Sequence, residues 1–319
     1  MFPFDDNGNF VGEDNSDGVF PHRRLETLEE LPNIQEEKPS RLLQINEDAT
    51  SIRLIDTCGN PFSYVALSYC WGKDDGGDWK TTTHTLRSHT QHGLASKYLP
   101  LTLQHSLTIT RRLGFSYIWI DALCIIQDSS EDWAREATKM AGVYFGSVLT
   151  IAASAAHSWS DGCFNQHSTR IIERGLYSDS WVVVESELST GQSSRFLVHD
   201  SPLAKRGWTF QEHRLPRRTL YYTAEQLFWE CQHCRRSEDN FPIQQNLGKH
   251  PILDTKRLTS DGVATLWYLG VVEDYSRRAL TFSKDRLVAV SALAKATYFR
   301  RPQPYIAGLW RDSMMDGLM

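Results

Sequence analysis

The sequence predicts an α/β protein with a parallel sheet at its core, because three apolar strands alternate with two helices. The strands are near-continuous apolar runs at residues 64–69, 117–120 and 148–154. Runs of this length and composition are typical of strands that are buried on both faces. Helices that separate such strands return the chain to the same end of the sheet, so the strands are expected to run parallel.

Both helices between these strands have clear sequence signals. Residues 102–113 carry leucines at roughly helical spacing, and Gly114 follows as a C-terminal cap. In the second helix Ser129 can cap the first turn, and Asp132 lies at the spacing of a capping box. This helix continues with apolar side chains on one face: Trp133, Ala137, Met140, Ala141 and Tyr144.

Two short regions precede the core. Residues 1–40 are polar, acidic and rich in Gly, Pro and Asn, which indicates a flexible arm. Residues 41–63 contain two alternating segments with a turn near residues 46–50, which predict a short β lead-in. The central domain is then expected to span residues 64–213.

The region after the core predicts further β-hairpins and then helices. Residues 255–319 are largely helical in pattern, and residues 214–319 are expected to form a C-terminal extension packed on the central domain. The predicted fold class is therefore α/β, with a parallel core, added β-hairpins and a mainly helical C-terminal region. The additional strands are predicted at residues 181–185, 195–198, 220–222 and 227–231.

Composition excludes several classes of protein. The net charge is −5 and the pI is near 6.1, which argues against a nucleic-acid-binding protein because such proteins need a basic surface. The sequence has neither a secretory signal nor an apolar run long enough to span a membrane. The six scattered cysteines suit a reducing, cytoplasmic setting without structural disulfides. Cys231 and Cys234 have the spacing of half a zinc site, but a second half is missing, so no metal site is predicted.

Polar and aromatic residues follow each of the three core strands. They are Ser68, Tyr69 and Trp71 after the first strand, Asp121 after the second and Ser154 after the third. Ligand sites in parallel sheets gather beyond the carboxyl ends of the strands, so these residues predict a binding cleft there. The alternative is that the two serines only end their strands and that the aspartate caps the next turn.

Glu136 is a candidate acid or base on the second helix. It lies beside Met140 at the margin of the apolar face, where partial burial would raise the pKa of its carboxyl group toward a catalytic value. The alternative is an ordinary helical ion pair between this carboxylate and Lys139 or Arg135.

A further cluster lies at residues 206–212, where Arg206, Trp208, Gln211 and Glu212 are close in sequence. An arginine beside a glycine and aromatic rings can hold a phosphate or stack on a base. It can equally be a structural arginine that bonds loop carbonyls. The usual phosphate loops, the Gly-x-Ser-x-Gly elbow and the His-Glu-x-x-His zinc motif are absent from the sequence.

Three segments together resemble the heterokaryon-incompatibility (HET) domain of filamentous fungi. They are YVALSYCWG at residues 64–72, LGFSYIWIDALCIIQD at residues 113–128, and RGWTFQE at residues 206–212. The second segment adds Gln127 to the candidate ligand-binding residues. The resemblance implies a role in nonself recognition, in which fusion of unlike hyphae activates an effector and the mixed cell dies. An upstream nonself sensor and self-association of the effector are the partners that this role implies.

HET domains are also remotely similar to TIR domains, which have flavodoxin-like α/β folds and some of which cleave NAD with a helix glutamate. This resemblance implies NAD as a substrate and no required cofactor. The TIR glutamate follows the third strand, where this sequence offers Asp161 but no glutamate, while Glu136 lies one helix earlier.

Two hypotheses follow from the resemblance. In the first, the protein hydrolyses NAD with Glu136, Asp161 or Asp121 as the catalytic carboxylate. Trp71 or Trp208 would then stack on the base, and arginine in the third segment would hold the pyrophosphate. In the second, the domain is a non-enzymatic signalling module that acts through self-association or partner binding.

Overall fold

A computed structural model gives the structure of most of the central region and part of the C-terminal region. The predicted arm up to residue 36 and most of the predicted strand at residues 195–198 lie outside the described residues. The structure describes residues 37–73, 77–164, 172–174, 181–183, 198, 200–231, 234–238, 267–280, 283–298, 305–306 and 309–311.

Within these residues, nine strands form one mixed sheet. Its spatial order is β11-β10-β9-β6-β3-β5-β1-β2-β4. The strands are β1 (Arg41–Ile45), β2 (Ser51–Asp56), β3 (Val65–Ser68), β4 (Leu94–Ala95), β5 (Tyr117–Trp119), β6 (Leu149–Ala152), β9 (Arg218–Tyr222), β10 (Leu227–Cys231) and β11 (Arg235–Ser237). Two separate two-stranded ladders are β7 (Ile172–Arg174) with β8 (Trp181–Val183), and β12 (Tyr305–Ile306) with β13 (Leu309–Trp310).

Helices occupy the segments between the core strands, as the sequence pattern predicts. The α-helices are α1 (Leu86–Gln91), α2 (Leu101–Arg112), α3 (Asp121–Cys124), α4 (Ser130–Gly146), α5 (Thr209–Arg214), α6 (Glu273–Ser276) and α7 (Val288–Tyr298). Short 3₁₀ turns lie at Ser96–Tyr98, Leu203–Lys205 and Ser283–Asp285, and a π-helical segment lies at Trp267–Val272. Within the described residues, no helix has the length and apolar character needed to cross a membrane.

Four parallel strands form the centre of the sheet. β3 pairs in parallel with β5 on one side and with β6 on the other, and β6 pairs in parallel with β9. In chain order the four parallel strands are β3, β5, β6 and β9. In the sheet they lie in the order β5-β3-β6-β9, which is 2-1-3-4. This is the flavodoxin-like order, whose topological switch point lies between the first and third strands, here β3 and β6.

The local signals at the ends of the helices and in the first hairpin are confirmed. The Ser129 hydroxyl accepts a hydrogen bond from the Asp132 amide at 3.2 Å, so it caps α4 as the capping-box spacing predicts. Gly114 has a φ of 83°, the left-handed conformation in which glycine ends a helix at least cost. β1 and β2 pair antiparallel; in their turn Asp48 Oδ1 accepts a hydrogen bond from the Thr50 amide, and Asn46 Oδ1 accepts one from the Ser51 amide.

The core lies on both faces of the parallel strands. Val65, Ala66 and Ile151 are fully buried, and the strands that carry them are buried throughout. Burial of this apolar surface is the main stabilising contribution, at about 25 cal/mol per Å². The largest fully buried side chains are Trp119, Trp159, Trp267, Trp310, Tyr144, Phe145 and Phe210.

Residues that follow the predicted central domain continue the same sheet. β9, β10 and β11 extend it beyond β6, and α7 packs against α4 and α5. The boundary at residue 213 stays a prediction. The described part of residues 255–319 is mainly helical, as expected, but also contains the β12–β13 ladder, which the sequence pattern did not indicate.

Candidate functional site

A buried serine–glutamate pair lies at the switch point of the sheet. Ser68 ends β3, and its hydroxyl donates a hydrogen bond to Glu212 Oε2 at 2.5 Å. Glu212 belongs to α5, which directly precedes β9, and its residue is only 7% exposed. The bond therefore joins the first and third sequence segments across 144 residues of chain.

The environment of Glu212 changes its acidity. Burial raises the pKa of Glu212 to about 7, against the opposing effects of the Ser68 hydrogen bond and the positive charge of Arg206. The nearby Asp121 charge adds to the increase, and Tyr144, another close neighbour, lowers it. A carboxyl group with this pKa exists in both protonation states near neutral pH, which is the property that acid–base catalysis requires.

A second carboxylate, Asp121, lies beside the first. Its Oδ2 accepts a hydrogen bond from Trp71 Nε1 at 2.7 Å, and its Oδ1 accepts one from the Ala122 amide at 2.7 Å. Burial raises the pKa of Asp121, although the bonds and the Arg206 charge oppose the change. The Tyr69 hydroxyl is buried in the same place, where burial and the Asp121 charge raise its pKa well above the usual value.

Arg206 fixes the third segment to the first. Its Nη1 donates to the carbonyl oxygen of Tyr69 at 2.6 Å, so the arginine has the structural role that the sequence left open. The next residue, Gly207, donates to the Ala279 carbonyl at 2.7 Å, and a Cβ there would overlap the side chain of Leu280. Glycine at this position lets the C-terminal region approach the site closely.

Partly exposed tryptophans lie around this buried cluster. Trp71 packs 5.8 Å from the Trp159 ring. Trp208 Nε1 donates to Asp285 Oδ2 at 3.2 Å, and its ring lies edge-on to Trp133 at 6.1 Å. Aromatic rings that are partly accessible beside buried carboxylates suit the stacking of a planar ligand.

Two amide side chains complete the predicted set. Gln127 Nε2 donates to the carbonyl oxygens of Asp121 and Ile125, at 3.0 and 2.9 Å, so it holds the turn that carries Asp121. Gln211 is buried in α5, and its Nε2 has no hydrogen-bond partner within the part of the chain that the structure describes. Ser154 after β6 likewise has a buried hydroxyl without a partner in that part.

Glu136 lies among different partners. It is buried, and its Oε1 accepts from the Ser40 hydroxyl at 2.7 Å and pairs with Lys139 Nζ at 3.3 Å and Arg135 Nε at 3.4 Å. Among the described residues, no hydrogen bond or ion pair joins Glu136 to the Ser68 cluster. The structure therefore brings this helix face together with the segment before β1 rather than with the strand end at Ser68.

Asp161 organises the loop that follows β6. Its Oδ2 accepts from the amides of His157 and Ser158 at 2.7 and 3.0 Å, and its Oδ1 accepts from the Ser158 hydroxyl at 2.9 Å. These bonds form a local turn on an exposed segment. The carboxylate is thus engaged with its own loop and is not hydrogen-bonded to Glu212.

The described residues contain no group of three or more His, Cys, Asp and Glu side chains that could hold a metal ion. None of the six cysteines forms a disulfide in the structure, and Cys231 and Cys234 lie together at the sheet edge.

The pairing of Ser68 with Glu212 was not predicted from the sequence, although both residues were candidates. The available signal was the position of Glu212, which stands just before an apolar strand in a short helix with Phe210 and Leu215. A carboxylate between apolar neighbours is a candidate for burial, and a buried carboxylate needs a hydrogen-bond donor.

These features define the class of protein: an α/β domain of flavodoxin-like strand order with a buried carboxylate cluster at its switch point. Residues 64–212 match the family model described as heterokaryon incompatibility protein (HET), so this range is similar to HET domains. Comparison with curated proteins and with solved structures gave no match.

Proposed function

We propose that this chain is an effector of fungal nonself recognition and programmed cell death, and that its HET domain acts by hydrolysing the nicotinamide–ribose bond of NAD. The observation that carries the proposal is the switch-point carboxyl of Glu212, which is buried, bonded to Ser68 and has a pKa of about 7. Nucleotides bind at this place in sheets with the flavodoxin-like order.

The proposed reaction needs a carboxylate near the anomeric carbon. The C1′–N bond breaks, and its electron pair goes to the nicotinamide ring, which leaves as a neutral molecule. The positive charge that develops on the ribose is stabilised by the carboxylates of Glu212 and Asp121. Water then attacks C1′ while Glu212 accepts a proton from it, so the products are ADP-ribose, nicotinamide and a proton.

The remaining side chains supply binding. Trp71 and Trp208 offer partly exposed rings for the adenine or nicotinamide face. Arg206 is also partly exposed, and its bond to Tyr69 uses one of the five N–H donors of a guanidinium, which suits contact with the pyrophosphate as well.

We assign the carboxylate role to Glu212 rather than to Glu136 or Asp161. The Glu136 charge is already balanced by Lys139 and Arg135, and Asp161 accepts three hydrogen bonds from its own loop. A carboxylate in either setting has little capacity left to stabilise a ribosyl cation.

The test is a direct assay on the purified full chain, with and without fusion to an oligomerising coiled coil. NAD is added, and nicotinamide release is followed by chromatography for the wild type, Glu212→Gln and the matched control Glu136→Gln. We expect Glu212→Gln to lower the rate at least ~100-fold, as for loss of an acid–base group, and Glu136→Gln to keep most of it. Unchanged NAD in every sample, or equal rates for the two variants, would refute the enzymatic proposal.

The second candidate is a non-enzymatic signalling module in the same pathway. It is favoured by the hydrogen bonds that the side chains of the cluster make within the protein. Ser68 donates to Glu212, Trp71 donates to Asp121, and Arg206 donates to a backbone carbonyl. Such a network stabilises one conformation and needs no substrate.

Induced expression in a fungal host separates the two candidates when viability and cellular NAD are measured together. Cell death that persists in Glu212→Gln with normal NAD favours the module. Loss of killing together with preserved NAD and a normal fold favours the enzyme.

A further inference from the structure

Two cysteines face each other at the end of the β10–β11 hairpin. Cys231 is the last residue of β10, Cys234 precedes β11, and their Sγ atoms lie 3.5 Å apart. The Cys231 amide donates a hydrogen bond to the Cys234 carbonyl oxygen at 2.9 Å, so the backbones of the two residues lie side by side. Both residues are partly exposed.

The other four cysteines lack this arrangement. Cys70, Cys124 and Cys163 are buried, and Cys58 is exposed without a second thiol bonded to it. Among the described residues no third ligand joins the Cys231–Cys234 pair to make a metal site. The pair therefore has the Cys-x-x-Cys spacing of redox-active dithiols without the ligands of a metal centre.

The two sulfurs are not equivalent. The Cys234 amide donates to Cys231 Sγ at 3.4 Å, which favours negative charge on the first sulfur. The hydrogen bond to Cys231 and then burial raise the pKa of Cys234 well above its usual value, while the Arg236 side chain beside it opposes this. Cys231 is thus the thiolate that reacts first, and Cys234 is the thiol that resolves the product.

We propose that Cys231 and Cys234 form a reversible dithiol–disulfide pair that is oxidised by hydrogen peroxide. The Cys231 thiolate attacks a peroxide oxygen, so an S–O bond forms, the O–O bond breaks, and the departing hydroxide takes up a proton to become water. The Cys234 sulfur then attacks the Cys231 sulfenic acid, the S–O bond breaks, and a second water leaves. Two thiols and one peroxide give one disulfide and two waters.

The location of the pair connects it to the sheet. Glu230, next to Cys231, accepts hydrogen bonds from the Tyr221 hydroxyl at 2.7 Å and from Arg235 at 2.6 Å. A disulfide would link the end of β10 to the start of β11, next to these hydrogen bonds. The proposal does not depend on NAD hydrolysis.

The experiment uses the purified full chain with Cys58→Ser, so that the exposed thiol cannot form intermolecular disulfides. After peroxide treatment and blocking with iodoacetamide, the tryptic peptide that ends at Arg235 contains both cysteines and is analysed by mass spectrometry. We expect it to lose two hydrogen atoms and to carry no alkyl group. Dithiothreitol should restore two alkylated thiols.

Two single-cysteine variants test the proposed role of each sulfur. Cys231→Ser should abolish the disulfide and protect Cys234 from fast oxidation, whereas Cys234→Ser should trap a sulfenic acid on Cys231 that dimedone labels. The proposal is overturned if both thiols remain fully alkylated after peroxide, or if oxidation stops at sulfinic or sulfonic acids. It is also overturned if the purified chain contains stoichiometric zinc that protects both thiols.

Discussion

The buried carboxyl of Glu212 predicts an unusual dependence of stability on pH. Burial raises its pKa from 4.5 to about 7, so the folded chain binds this proton more tightly than the unfolded chain does. The resulting stabilisation is fully present below about pH 4.5 and is lost as the pH rises through about 7. A change of one pKa unit corresponds to about 1.4 kcal/mol, so between about pH 5 and pH 8 this group alone should lower the free energy of unfolding by about 2 to 3 kcal/mol.

Glu212→Gln removes the titrating group and keeps the shape. The amide oxygen can still accept the Ser68 hydrogen bond, so the variant resembles the protonated wild type. The free energy of unfolding can be measured in urea by tryptophan fluorescence. Between about pH 5 and about pH 8 the wild type should lose about 2 to 3 kcal/mol of stability relative to Glu212→Gln.

Glu131→Gln controls for the loss of one carboxyl group, because this side chain is exposed at the start of α4. A difference between Glu212→Gln and the wild type that is constant over the pH range would refute the reasoning. It would mean that the folded chain holds Glu212 as an anion throughout.

Three further changes test the packing of the domain. Gly142→Ala should destabilise the fold by about 1 to 3 kcal/mol, because its methyl group would overlap the Glu37 carbonyl; thermal unfolding measures the loss. Arg41→Met should cost about 3 kcal/mol, because it removes the buried ion-pair partner of Asp132, and high salt should not reproduce the effect. Phe210→Ala should cost about 3 to 5 kcal/mol in urea unfolding, because this ring on α5 is fully buried.

Local features of the fold could be predicted because they depend on neighbouring residues. The capping of α4 by Ser129, the hairpin of β1 and β2, and the parallel strands β3, β5 and β6 all follow from periodicity and turn chemistry. The positions of Ser68 and Asp121 at the ends of their strands could be predicted for the same reason.

Long-range pairing could not be predicted in this way. The insertion of β1 antiparallel to β5, and the place of β9 beside β6, depend on contacts between distant segments that a local pattern does not encode. The same limit applies to Glu136. Its position at the margin of an apolar face indicated burial, but its partner Ser40 comes from a segment 96 residues earlier.

Which carboxylate of the domain serves in the proposed reaction therefore depends on its surroundings and not on its spacing in the sequence. Glu136 is matched by two cations and a hydroxyl, so its charge is already committed to holding the segment before β1 against α4. Glu212 accepts a hydrogen bond from the Ser68 hydroxyl and lies near Tyr144, Arg206 and the acidic side chain of Asp121. Of the two, only Glu212 gains when a positive charge enters the cluster, because that charge would offset both its burial and the repulsion from Asp121. A ribosyl cation at the end of β3 is such a charge.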